Sequence, residues 1–332
     1  MATSDEGSAE ARLIARYFRP LATSPGAFGL TDDAAVITPP PGCDLVLTTD
    51  GVIAGVHFFP DDPPEKIGRK ALRMNLSDLA AKGAKPIGFL LSIALPAAID
   101  ETWVAAFATG LGEDATRYGC PLLGGDTDHT PGPLSVSITA FGTLPHGGMV
   151  RRSGAKAGDS VMVTGTIGDA ALGVLLRRDE VLAERWRLAD AMKAHLTERY
   201  LLPQPRNALA DAVLHHAAAA MDVSDGLVGD LSKLCRASGV AAEIDVPRVP
   251  LSDAARAALA ADPALIETVL TGGDDYEIVL TIAQEKVDAF GAAARQAGVA
   301  ATAIGRVSAG EGVRFVRAGK ALSFARASYS HF

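Results

Sequence analysis

The stretch Arg151-Arg-Ser-Gly-Ala-Lys-Ala-Gly-Asp159, followed at once by Val161-Met-Val-Thr-Gly165, decides how this chain is built. The first part is polar and carries glycines, which is the composition of a connection rather than of a packed element. The second is a short apolar run ending in glycine. Gly168 and an apolar-periodic segment from Asp169 follow it, so a fresh strand-turn-helix unit begins here. A boundary near Gly148 divides the 332 residues into 1–148 and 149–332, each of ordinary domain size.

Working back from that seam, Ile67, Ala71, Met74 and Leu79 recur at helical spacing over 65–82, and Gly83 and Pro86 end the run. Asp100 and Glu101 open a second helix through Trp103, Phe107 and Leu111, which Gly119 stops. Strands are expected at 34–38, 44–49, 87–95, 121–123 and 134–144. Working forward, helices are expected at 169–177, 208–218, 227–237 and 285–296, and strands at 161–165, 242–246, 276–282, 299–304 and 313–316. Mixed elements in both halves give an α/β (α+β) class with two domains, and no short-period repeat suggests a solenoid.

Composition limits the function. Acidic side chains outnumber basic ones 39 to 31, for a net charge of -8, and 48% of residues are hydrophobic. That excess argues against nucleic-acid binding, which needs clustered Lys and Arg. The run 86–99 is interrupted by Pro96 and is shorter than a membrane span, and the N-terminus lacks a secretion signal. Cys43, Cys120 and Cys235 are odd in number and far apart, which fits a reducing cytoplasm.

One pattern recurs: an apolar run, one or two small polar residues, then aspartate beside glycine. It appears at Thr48-Thr-Asp50-Gly51, Gly124-Gly-Asp126-Thr127, Asp222-Val-Ser-Asp225-Gly226 and Gly272-Gly-Asp274-Asp275. Either these are ordinary turns, or they are carboxylates at strand ends, where open sheets bind ligands. Asn75, Asp78 and Lys82 form a polar strip on the helix 65–82, which either faces solvent or faces inward and needs a counter-charge for Asp78. Aspartate and threonine oxygens without a His/Cys set suit Mg²⁺, through which an acidic site can bind phosphates. No G-x-x-x-x-G-K-[ST] and no complete G-x-G-x-x-G after a strand is present, which excludes the P-loop and dinucleotide routes. His215-His216 has no partner at ligand spacing, and Ser224 lacks a nucleophile elbow. Ser224 and Asp225 could instead cap the helix that follows.

At these residues the sequence resembles the thiamine-monophosphate kinase family of the aminoimidazole ribonucleotide synthetase-like superfamily. Asp32-Asp33-Ala-Ala-Val36, Thr48-Thr49-Asp50, His57-Phe58, Asn75-Leu-Ser-Asp78, Gly124-Gly-Asp-Thr127, Arg152-Ser-Gly-Ala155, Asp222-Val-Ser-Asp225-Gly and Gly272-Gly-Asp-Asp-Tyr-Glu277 follow the family's order, as does the terminal Tyr329-Ser-His-Phe332. The resemblance implies ATP-dependent phosphorylation of thiamine monophosphate to the diphosphate by direct transfer with several Mg²⁺ ions; because the nucleophile is then an anionic phosphate oxygen, in-line transfer with no general base is expected. It implies a homodimer whose N-terminal mixed sheets form a barrel, and a C-terminal α/β domain that completes the active site. Carried over by position, Asp33, Thr48, Thr49, Asp50, Asp78, Asp126, Asp222 and Asp225 are metal positions; Gly125, Asp126, Arg152 and Ser224 contact the nucleotide; His57, Asp274 and Tyr329 contact substrate.

Four positions depart from the family pattern: Thr31 stands for a glycine, Asp274 for a glutamate, and Arg73 and Lys82 for apolar residues. Rival readings are another ATP-using superfamily member, such as a ring-closing purine-synthesis synthetase, and a non-catalytic nucleotide- or metal-binding dimer.

Overall fold

A computed structural model describes residues 8–326 and 328, and it falls into two compact units. The first comprises 1–79 and 85–147; the second comprises 80–84 and 148–332.

The first unit carries α1 (Ala9–Leu13), β1 (Cys43–Ile53), α2 (Pro64–Ala81), β2 (Lys85–Pro96), α3 (Glu101–Arg117), β3 (Leu122–Thr130) and β4 (Ser135–Pro145). Its sheet has the order β1-β4-β2-β3, antiparallel except for the β2–β3 pair. Burial alternates along β1: Val46 and Val52 are buried, whereas Leu47, Thr49, Gly51 and Ile53 are exposed. Such alternation is what a sheet covered on one face produces. Asp100 caps α3 as its sequence suggests, accepting a hydrogen bond from the Trp103 N–H at 2.8 Å. α2 and α3 pack closely at glycines, since a Cβ on Gly68 would press on the Phe107 carbonyl and one on Gly110 on the Glu65 backbone.

Two expectations fail here. Residues 34–38 form no strand; the Val36 N–H instead bonds the Gly26 carbonyl at 2.9 Å, which holds the segment as an irregular loop. The Asp50 and Asp126 carboxylates also do not sit at strand ends. β1 runs three residues past Asp50 and β3 four past Asp126, because backbone pairing to β4 and β2 continues through the polar residues.

The polar strip of α2 is not a solvated face. Asn75 and Ser77 are fully buried, and Asn75 Nδ2 donates to the Ala71 carbonyl at 3.1 Å. Arg73, an odd residue for such a helix, is 1% exposed and meets Asp114 of α3 through Nε at 2.5 Å and an Nη at 3.0 Å. A fork of this kind satisfies both charges at once.

The second unit carries β5 (Ser160–Thr164), α4 (Asp169–Arg178), α5 (Val181–Arg185), α6 (Asp190–Leu201), α7 (Ala210–His216), β6 (Ala219–Val223), α8 (Leu227–Ser238) and β7 (Ala241–Asp245). Then come α9 (Asp253–Ala261), α10 (Ile266–Thr271), β8 (Glu277–Ile282), α11 (Val287–Gln296), β9 (Ala301–Ser308), β10 (Gly312–Arg317) and β11 (Lys320–Ala321). Its sheet order is β11-β10-β7-β9-β5-β8-β6, with β10–β7 parallel. β5, β6 and β8 are buried at every position, as expected of strands covered on both faces. Lys82, which the unit division assigns here, donates from Nζ to the Ala220 carbonyl at 2.7 Å. No helix among the described residues is long and apolar enough to cross a membrane.

Asp114→Ala should cost about 3–5 kcal/mol, because it strands a buried guanidinium. Replacing both partners, Arg73→Met with Asp114→Leu, should restore stability to near wild type in urea unfolding. A single mutant as stable as wild type would contradict the pairing.

Candidate active site

In the first unit, β1 and α2 bring two of the expected metal positions into direct contact: Thr48 Oγ1 donates to Asp78 Oδ2 at 2.5 Å. Asp50 lies two residues along the strand from Thr48 and therefore on the same face. Thr49, between them, turns the other way, where it bonds the Ile138 carbonyl at 3.2 Å and Thr139 Oγ1 at 3.1 Å. Asn75, one helical turn before Asp78, leaves its buried Oδ1 without a hydrogen-bond partner.

Asp126 belongs to a second group. The register aligns Asp50 with Ile138, Leu91 and Gly125, and sets Asp126 in the adjoining row with Ser92 and Ser137. Successive rows face opposite sides of a sheet, so Asp126 points away from the Asp50 face. It lines a cleft of about 590 Å³ together with Asp32, Asp33 and Gly125 and the apolar Phe18 and Leu30. Gly125 has no alternative, since a Cβ there would run into the Leu91 carbonyl. His57 accepts the Ile53 N–H on Nδ1 at 3.1 Å, which leaves the proton on Nε2.

In the second unit, two loops are stitched together by their backbones. The Asp274 N–H donates to the Ser224 carbonyl at 2.9 Å and the Tyr276 N–H to the Val223 carbonyl at 2.8 Å. This gathers Asp222, Ser224, Asp225 and Asp274 at one end of the β6–β8 pair. Arg152 is exposed on a segment that runs beside β6, where Ala220 N–H bonds the Arg151 carbonyl at 3.0 Å. The capping expectation fails: Gly226 is the N-cap of α8 and no side chain bonds the cap. The Asp225 carboxylate is turned instead to Lys233, whose Nζ lies 2.6 Å from Asp225 Oδ2 and 2.8 Å from Asp230 Oδ1. Burial works against the Lys233 charge, but its bonds to Asp225 and Asp230 outweigh that and hold it above its ordinary range.

Beneath the Asp274 loop lies a buried charged network that the sequence did not disclose. Glu277 is fully buried and accepts from Thr164 Oγ1 at 2.7 Å, Arg199 at 2.9 Å and Arg206 Nε at 2.6 Å. Asp275, also fully buried, accepts the Gly168 N–H at 2.7 Å, while Arg199 donates to its carbonyl at 3.0 Å. Asp169 receives Thr166, Ser252 and His195; burial pushes its carboxyl up, but these bonds outweigh burial and hold it below the ordinary range. Apart from Thr166 and Asp169, which are three residues apart, the partners lie far apart in sequence, so no local spacing announces them. Asp230 and Lys233, at i and i+3 on α8, are a second local pair.

Among the described residues, no three or more His, Cys, Asp or Glu converge to hold an ion by themselves. Mg²⁺ does not require that, because it is commonly held by one or two carboxylates, waters and substrate phosphates. The all-oxygen donors at Thr48/Asp50/Asp78 and at Asp222/Asp225 fit such an ion.

Residues 31–144 match the model of the AIR synthase related protein, N-terminal domain, and residues 156–317 match that of the C-terminal domain. A thiamine-monophosphate kinase of Caulobacter vibrioides is 45% identical over 322 residues, 96% of this chain and 89% of that one. The chain belongs to the thiamine-monophosphate kinase family. A crystal structure of thiamine-monophosphate kinase from Stenotrophomonas maltophilia superposes with a TM-score of 0.82 at 38% identity, covering 94% of this chain and 96% of that one. The AaThiL structure complexed with AMPPCP and TMP superposes with a TM-score of 0.76 at 32% identity, covering 92% and 97%.

The departures from the family pattern now have physical accounts. Thr31 has φ -114, so no glycine is needed there, and its hydroxyl bonds the Phe28 carbonyl at 2.7 Å. Asp274 has φ +73, a left-handed conformation that aspartate tolerates better than most residues. Arg73 is paired with Asp114, and Lys82 with a backbone carbonyl. Tyr329 lies outside the described residues.

Burial holds the Asp275 carboxyl well above 3.8, with the Gly168 N–H offsetting part of the effect. An acid raised in this way supports the fold fully below its unfolded value and loses that contribution as pH rises through its folded value. Asp275→Asn carries no such loss. It should therefore gain stability relative to wild type as pH rises from about 4 to about 8, measured by chemical denaturation at each pH. A difference independent of pH would contradict this.

Proposed function

We propose that the acidic groups of each unit hold Mg²⁺ together with ATP, and that the residues around them orient thiamine monophosphate. As a member of its family, the chain phosphorylates thiamine monophosphate to thiamine diphosphate with ATP. The observation that carries the metal reading is the Thr48–Asp78 contact at 2.5 Å, with Asp50 on the same strand face and an orphaned Asn75 oxygen one turn away. When bound, Mg²⁺ supplies neutralisation of phosphate charge, which this chain lacks a P-loop lysine to provide.

Asp50, Asp78 and Thr48 would hold metal in the first unit, and Asp222 and Asp225 in the second. Thr49 and Asp126, on the opposite face of the sheet, and Asp33, which lines the cleft with Asp126, form a second group of proposed metal positions, and Gly125, Arg152 and Ser224 are the proposed nucleotide contacts. An oxygen of the acceptor phosphate attacks the γ-phosphorus in line, and the bond to the bridging oxygen of ADP breaks. That nucleophile is already anionic, so the chain has no proton to remove and needs no general base. His57, with Nδ1 engaged by Ile53, offers its Nε2–H as a donor to substrate rather than as a base. Asp274 and Tyr329 are further substrate contacts. We assign the homodimer contact to the open face of the four-stranded sheet, a reading supported by the exposed Leu47 and Ile53. The free Cys43, Cys120 and Cys235 fit a cytoplasmic location, and burial pushes the Cys120 thiol up to about 12.

Purified protein should release ADP with ATP and thiamine monophosphate only when Mg²⁺ is present. Asp126→Asn and Asp225→Asn should each lower turnover by about a hundredfold or more while circular dichroism stays unchanged. Metal-independent turnover, or turnover with a different acceptor only, would overturn the reading.

A further inference from the structure

Asp225, Asp230 and Lys233 close a small ring at the start of α8. The Asp225 N–H donates to Asp230 Oδ2 at 2.9 Å, and the Lys233 ammonium bridges Asp230 Oδ1 at 2.8 Å and Asp225 Oδ2 at 2.6 Å. Asp230 is fully buried, so its charge needs a local cation. Asp225 and Lys233 differ from it: each side chain is 37% exposed. One lysine thus serves two carboxylates, one structural and one open to solvent.

We propose that Lys233 is a positioning residue that orients the Asp225 carboxylate for metal and competes with the divalent cation for it, so that it sets how much metal the enzyme requires. This rests on the reading of Asp225 as a metal ligand given above. The ammonium occupies one carboxylate oxygen and leaves the other available, which fixes the rotamer of Asp225. The same ammonium places a positive charge beside any ion that arrives, and repulsion between like charges weakens binding of that ion. Lys233 therefore trades affinity for orientation. Tight occupancy then depends on the negative charge that phosphates bring with them, which couples metal retention at this position to substrate.

Binding of Mn²⁺ alone to the full chain, followed by electron paramagnetic resonance of the free ion, tests this without reference to turnover. Lys233→Met should tighten Mn²⁺ binding about tenfold, equivalent to about 1.4 kcal/mol, and Lys233→Arg, which keeps the charge, should match wild type. A second variant, Lys233→Met with Asp230→Asn, removes the ammonium without leaving a buried unpaired carboxylate, and should show the same tightening if the first fails to fold. Asp225→Asn added to Lys233→Met should abolish the gain. Unchanged or weaker Mn²⁺ binding in both lysine variants would overturn the proposal. So would weakened binding of AMPPCP in Lys233→Met with Mn²⁺ binding unaltered, which would mark Lys233 as a phosphate contact. If Asp225→Asn alone leaves Mn²⁺ binding untouched, the metal role of Asp225 itself is rejected, an outcome distinct from failure of Lys233 alone.

Discussion

A carboxylate with no access to water has to be met by donors, and Glu277 is the case on which the second unit turns. Thr164, Arg199 and Arg206 converge on it from β5, from α6 and from the segment that follows α6. Glu277 is the first residue of β8, so fixing it fixes where the preceding loop leaves the sheet. From there Tyr276 and Asp274 reach back to the backbone of Val223 and Ser224. The placement of Asp222, Ser224 and Asp225 follows. A buried ion pair of this kind adds little net stability over apolar packing, but breaking it by removing one partner is costly, so it acts chiefly to hold one geometry.

The same requirement sorts several other acids. Fully buried Asp114, Asp230 and Glu277 have Arg or Lys partners, while Asp169 is met by His195 and two hydroxyls. Half-buried or exposed Asp50, Asp78, Asp126 and Asp225 lie where solvent, a metal or a phosphate can reach them. A site assembled from pairs rather than closed cages is suited to an ion that arrives with its substrate and leaves with product. An acid held in an internal ion pair is balanced by its partner and adds nothing to the net charge of -8.

Much of this was legible in the chain. α2 and α3 announced themselves through helical spacing and a capping aspartate. The acidic motifs of the second unit lie on two loops that the backbone bonds together, from Asp274 to Ser224 and from Tyr276 to Val223. What the sequence hid depends on pairing at a distance. Asp50 and Asp126 sit within strands because β4 and β2 extend alongside them, and Arg73 is acceptable in a buried helix because Asp114 lies 41 residues on. Residues 34–38 are a strand-like apolar run but, among the described residues, pair with no neighbouring strand. The helix α6 went unnoticed because polar and apolar residues are mixed around it, and the residues that matter on it, His195 and Arg199, are polar ones turned inward to acids.

The central claim is that the acids of each unit hold Mg²⁺ in company with nucleotide. Anomalous diffraction from crystals grown with Mn²⁺, AMPPCP and thiamine monophosphate measures it most directly. Peaks are expected within bonding distance of Asp78 and Thr48 or Asp50, and of Asp222 and Asp225, and they should weaken when nucleotide is omitted. Peaks confined to other side chains, or full peaks at these carboxylates without nucleotide, would contradict it.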